Sequence, residues 1–175
     1  FITITYDVVQ TALYMDNDIP LRNGGTITCG ARFGMQTGTT LVIEGGSGAA
    51  VTAANAIQLT SAATYRYEFD ATGVAYITAG NYSTLTGASF EVDLTNFAGW
   101  GSAATFPLVN IGNVSQAPAG ASSPVGAPAG FTITAPGKTY GVDYEINVST
   151  TTNVCEVAIL EVAPPGAATW TGATD

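Results

Sequence analysis

The residues best suited to chemistry are carboxylates. Glu91 and Asp93 stand two apart, as do Asp143 and Glu145. On a strand that spacing puts both acids of a pair on one face, about 6–7 Å apart. Glycoside hydrolysis needs two carboxylates facing each other across a sugar bond. Two acids on the wet face of one strand flank nothing, so neither pair predicts an enzyme. The chain has no histidine, which removes histidine-based triads and histidine metal sites. Asp16-Asn17-Asp18 is the best metal candidate. Oxygen ligands from Asp16 and Asp18 on a turn suit calcium, although the spaced loop of an EF-hand is missing. Asp70 adds a ligand only if the fold brings it near. No other cofactor is indicated. Lys138, the sole lysine, lies in a Pro-Gly turn and not at the buried strand position that a Lys–Asn crosslink needs. Trp100 sits in the glycine-flanked stretch Asn96-Phe97-Ala98-Gly99-Trp100-Gly101. Such a ring either stacks on a pyranose as a ligand contact or plugs the end of a core.

Cys29 and Cys155 lie 126 positions apart, too far for a CxxC redox motif or a zinc site. In a secreted chain they would form one disulfide closing a long loop. Three N-x-S/T sequons, at Asn81, Asn113 and Asn147, are glycosylation candidates. The sequence begins at Phe1. A native Phe1 would imply cleavage of a longer precursor, so the expected location is extracellular, at the cell surface or on a virion.

Composition limits the rest. Charged residues make up 10% of the 175, against about 25% in an average domain. Four cations and thirteen acids give a net charge of −9. Four scattered cations cannot neutralise a run of phosphates, which excludes a nucleic-acid partner and disfavours an anionic membrane surface. No apolar run reaches 18 residues, so no helical membrane insertion is expected. In place of charge the chain carries Thr, Ser, Ala, Gly and Asn. Interface centres are depleted in Lys, Glu and Asp, so the deficit points to copies of the chain itself as partners.

The elements that must position these residues follow a period of two. Ile2, Ile4, Tyr6 and Val8 alternate with polar residues. So do Tyr65, Tyr67 and Phe69, then Phe90, Val92 and Leu94, then Tyr144, Ile146 and Val148. Each run reads as a strand with one buried face. The stretch from Val154 to Val162 is apolar on both faces and should lie centrally in a sheet. Asp70-Ala71-Thr72-Gly73 separates two strong strands, so Tyr65–Phe69 and Val74–Thr78 read as a hairpin. Ala49 to Leu59 is the one stretch with helical character, and it suits a strand equally. No internal repeat is evident. Residues 117–130 are rich in Pro, Ala and Gly and read as an extended surface loop. Residues 163–175 read as a tail.

These signals predict an all-β chain with little or no helix. The expected form is a single β-sandwich or jelly-roll-like domain over residues 1–162, with roughly nine to eleven short strands. The expected function is a non-enzymatic structural subunit that self-assembles into an extracellular filament. Its N-terminal strand 1–9 could be donated to a neighbour, with Ile2, Ile4, Tyr6 and Val8 filling the acceptor's core. Two alternatives stand beside it: a virus-particle exterior protein (capsid decoration or spike), and a carbohydrate-binding adhesin module with glycan bound at Trp100.

Overall fold

The structure is a computed structural model. It describes residues 3–6, 13–22, 24–58, 62–80, 82–84, 88–111, 114–116, 130–149 and 154–161. Seventeen strands occur among them and no helix. They form five successive coils of three strands and a closing antiparallel pair. The first coil comprises β1 (Thr3–Tyr6), β2 (Leu13–Met15) and β3 (Ile19–Leu21). The second comprises β4 (Thr26–Cys29), β5 (Arg32–Met35) and β6 (Thr40–Glu44). The third comprises β7 (Ala49–Ala53), β8 (Ala56–Gln58) and β9 (Thr64–Glu68). The fourth comprises β10 (Tyr76–Ala79), β11 (Tyr82–Thr84) and β12 (Ser89–Asp93). The fifth comprises β13 (Ala104–Ile111), β14 (Val114–Gln116) and β15 (Phe131–Thr134). The closing pair is β16 (Tyr144–Ser149) and β17 (Val154–Ile159).

Every third strand stacks on its predecessor. Sheet A runs β1-β4-β7-β10-β13-β17-β16, sheet B β14-β11-β8-β5-β2, and sheet C β15-β12-β9-β6-β3. All pairings between coils are parallel, and only β17 reverses direction. The chain is a three-sided parallel β-solenoid.

That corrects the sandwich expectation. A period of two only says that alternate side chains share a face. It does not say whether the next strand returns antiparallel beside its predecessor or turns a corner into a new sheet. The hairpin expected around Asp70–Gly73 is such a corner: β9 lies in sheet C and β10 in sheet A. The count of nine to eleven strands fails because a coil cuts the chain into short pieces, all but β13 of three to five residues. The repeat that the sequence hides is structural. Ile27-Thr28-Cys29, Val51-Thr52-Ala53 and Ile77-Thr78-Ala79 occupy one register position in three coils, and Val109-Asn110-Ile111 takes it in the fifth. Spacing between coils varies, so the repeat has no fixed period.

The core is the lumen. In sheet C, inward columns run Ile19–Leu41–Tyr65–Phe90–Phe131 and Leu21–Ile43–Tyr67–Val92–Ile133. Parallel stacking repeats each column at about 4.8 Å, so like side chains lie on like. Tyr65 stacks on Phe90 at 5.8 Å, and Phe90 on Phe131 at 4.8 Å. Each buried aliphatic or aromatic side chain contributes about 1.5–3 kcal/mol. Corners stack as closely: a Cβ on Gly80 would meet the Ala54 carbonyl oxygen at 2.5 Å.

The N-terminal strand pairs within its own chain here, the alternative to donation. Thr3 to Tyr6 pair in parallel with Thr26 to Cys29 of the same chain. Ile4 and Tyr6 therefore take register positions in the chain's own sheet A, not in a neighbour's groove. Ile2 and Val8 lie outside the described residues. Beyond residues 117–129, which also lie outside them, β15 rejoins sheet C and β16–β17 rejoin sheet A. As its two apolar faces imply, β17 lies inside its sheet, between β13 and β16.

Candidate functional site

The outer face of sheet A carries a regular file of uncharged polar residues. Thr28, Thr52, Thr78 and Asn110 stand in one file, in register from coil to coil. Thr28 and Asn110 are exposed, and Thr52 and Thr78 half-buried. The backbone register extends the file to Thr5 on β1. Strands β1, β4, β7, β10 and β13 carry no charged residue; the first acids in the sheet are Glu156 on β17 and Glu145 on β16. This file holds only Thr and Asn, where the outward files of sheet C include Glu, Asp and Arg.

Sheet C's outer face contrasts with it. Its files are Val42–Arg66–Glu91–Thr132 and Glu44–Glu68–Asp93–Thr134. A shallow cavity of about 240 Å³ opens there beside Arg66, Glu68, Glu91 and Asp93. Arg66 Nε donates to Glu91 Oε2 at 2.6 Å, and Arg22 pairs with Glu44 at 2.9 Å. The bond to Glu91 is the largest cause of the raised Arg66 pKa. Asp93 Oδ1 accepts from the Thr95 amide at 2.9 Å. Glu91 and Asp93 thus share one outward face, as their spacing implied, and each already holds a partner.

Asp16 and Asp18 lie on an exposed turn between β2 and β3. Asp16 Oδ1 accepts from Asn17, and Asp18 Oδ1 from the Thr40 amide at 2.7 Å. Asp70 is at another corner, between β9 and β10, and does not join them. Its carboxylate accepts from the amides of Gly46, Thr72 and Gly73 and from the Thr72 hydroxyl. These bonds, with the Gly46 amide foremost, lower its pKa to about 2. Among the described residues no three acids or thiols are grouped to hold a metal ion.

The disulfide expectation is overturned. Cys29 on β4 and Cys155 on β17 are separated by β7, β10 and β13, four inter-strand steps. At about 4.8 Å per step that is about 19 Å, against 4.4–6.8 Å between bridged Cα atoms. Both thiols are free and buried in the lumen, and burial pushes both pKa values up.

Trp100 is half-buried at the corner before β13. It packs edge-on against Phe97 at 5.4 Å and Tyr144 at 6.2 Å. The Lys138 ammonium lies over its ring, 4.8 Å from the centroid. A sugar stacking on that face would have to displace the lysine. Lys138 also donates to Asp143 at 3.2 Å. Asp143's pKa is lowered chiefly by the Thr139 amide and further by Lys138. Asn147 sits half-buried on β16, on the face opposite Ile146 and Val148. Asn81 and Asn113 lie outside the described residues.

No family model, curated protein or solved structure matches the chain.

Two features escaped the sequence reading. The first is the Thr/Asn file, whose signal was the recurrence of aliphatic-Thr-small, followed by Gly or Ala, at 27–30, 51–54 and 77–80. The second is Tyr67, whose hydroxyl crosses the lumen to the Leu108 carbonyl at 2.9 Å. No sequence pattern announces it.

Proposed function

We propose that this chain is a non-enzymatic structural subunit that packs against copies of itself in an assembly outside the cell, a filament or the exterior of a particle. The observation that carries this reading is the outer face of sheet A across the five coils, where β1, β4, β7, β10 and β13 carry no charged residue. A rank of Thr and Asn spaced about 4.8 Å apart, with no Lys, Glu or Asp across the coils, shares the depletion of those charges that marks an interface centre. The low overall charge and the sequons support the extracellular placement. The non-enzymatic part draws support from the acids: Glu91, Asp93, Asp70 and Asp143 are each committed to a structural bond. Contact between copies is through sheet A, not through a donated first strand.

The test is the double variant Thr52→Lys/Thr78→Lys, examined by sedimentation and negative-stain microscopy beside the parent. Both lysines point outward and leave the lumen untouched. Juxtaposing like charges across an interface costs several kcal/mol, which weakens association by roughly a hundredfold or more. The parent should form regular filaments or particles and the variant should not. A parent that stays monomeric at high concentration, or a variant that assembles like it, refutes the reading.

A further inference from the structure

The end of sheet A at β16 is guarded. Ile146 donates its amide N–H to the Tyr140 hydroxyl at 3.2 Å, and the Tyr144 carbonyl accepts from the Gly141 amide at 2.7 Å. Backbone groups on one edge of a strand recur at every second residue. Tyr144, Ile146 and Val148 therefore present N–H and C=O to the outer edge, and Glu145, Asn147 and Ser149 turn theirs to β17. Residues 138–143 lie along that edge. They are pinned at one end by Lys138, which bonds Asp143 at 3.2 Å and covers Trp100. Within the segment, Asp143 Oδ2 accepts from the Thr139 amide at 2.8 Å, and Tyr140 meets Tyr144 edge-on at 5.5 Å. The segment bridges Tyr140 to Tyr144 in parallel and occupies the Tyr144 C=O and the Ile146 N–H of the edge. Its Val142 is 59% exposed, an unusual position for a large aliphatic.

We infer that residues 138–143 are an autoinhibitory strap, and that the edge beneath them pairs antiparallel with the same edge of a second copy of this chain. The sequence of β16 is self-complementary for that pairing. Centred on Ile146, the two-fold sets Ile146 against Ile146, Tyr144 against Val148, and Glu145 against Asn147. No carboxylate faces another, whereas a centre on Glu145 would oppose two, which cross-strand pairing penalises. Ile146, Tyr144 and Val148 are the residues whose backbone groups face outward, so this centre also aligns the hydrogen bonds. Such a contact is isologous and closes as a dimer joining two solenoids end to end. Exposed strand edges are commonly blocked by a covering segment; here the Tyr140–Tyr144 bridge, the Tyr140 hydroxyl on Ile146, one ring contact and the Lys138 contacts hold the cover. The inference rests on the self-assembly reading for its use, while the strap itself is measured separately.

The experiment uses four chains: the parent, Tyr140→Phe, Val148→Pro and Tyr140→Phe/Val148→Pro. The phenylalanine keeps the ring contact and removes the acceptor for Ile146. The proline deletes an outward N–H that β17 does not use, a substitution edge strands tolerate. Amide exchange at Ile146 should rise roughly five-fold in Tyr140→Phe, the equivalent of one lost hydrogen bond. Sedimentation should show Tyr140→Phe passing to a dimer at concentrations where the parent shows none through this edge, and the double variant should lose that dimer. Unchanged exchange at Ile146 overturns the strap. Faster exchange without dimerisation, or a dimer that survives Val148→Pro, overturns the pairing. Assembly of the parent that persists in a Val148→Pro single variant leaves the sheet A reading standing by itself.

Discussion

Tyr67→Phe should destabilise this protein far more than Tyr65→Phe, although the two changes delete the same atom from neighbouring positions on one strand. Both side chains are fully buried on β9. The Tyr67 hydroxyl donates to the Leu108 carbonyl across the lumen at 2.9 Å. Leu108 falls where the register slips: Pro107 pairs with Glu156 and Val109 with Cys155, leaving Leu108 opposite no residue of β17. Pairing with β10 begins only at Val109. Its carbonyl sits in an apolar interior, and Tyr67 supplies a donor there. Removing a donor from a buried acceptor costs about 1–3 kcal/mol. The Tyr65 hydroxyl is buried with only a poorly aligned contact to the Met35 backbone, so its removal should cost under about 1 kcal/mol. For a chain of this size, about 2 kcal/mol lowers the melting midpoint by about 4–8 °C. The assay is paired calorimetry and urea unfolding of both variants at pH 7, with unchanged m-values as the check that the lumen keeps its form. Equal losses in the two variants, or a greater loss in Tyr65→Phe, would refute the account of the register slip.

The remaining predictions use other parts of the solenoid. Cys29 and Cys155 should both titrate as free thiols, react with a thiol reagent only on unfolding, and leave the melting midpoint indifferent to reductant; one disulfide by intact mass would contradict the strand order. Asp70's pKa is lowered from 3.8 to about 2 in the fold, so its contribution is present above about pH 4 and lost as pH falls toward 2. The midpoint of Asp70→Ala should therefore lie below the parent's at pH 5 and converge with it near pH 2; a constant gap would refute the linkage. Gly80→Ala should lower stability by about 1–3 kcal/mol, because its Cβ would press on the backbone oxygen of Ala54 at 2.5 Å and backbone cannot swing aside. A neutral result by urea unfolding would show that the corner can shift.

Much of the local structure was legible in the residues. Alternation in Tyr65–Phe69 and Phe90–Leu94 gave the inward and outward sides correctly, because the pleat ties side-chain direction to position whatever the sheet. The double apolar character of Val154 to Val162 marked a central strand, and β17 lies between β13 and β16. The pairing partners were not legible. A parallel solenoid and an antiparallel sandwich both bury alternate residues, and they differ only in what the corner does. Asp70-Ala71-Thr72-Gly73 suits either a hairpin or a corner until the Gly46 amide from the coil before is found on the Asp70 carboxylate. The candidate sites failed in the same way. Spacing placed Glu91 and Asp93 on one face, but only stacking brought Arg66 to Glu91. The cysteines looked bridgeable because a sequence carries no distance between strands that are remote along it. Composition and alternation alone pointed to a β-rich chain of very low charge. Tertiary structure decided which uncharged residues line up into a continuous face, because a file such as Thr28–Thr52–Thr78–Asn110 exists only once coils of unequal length have been stacked in register.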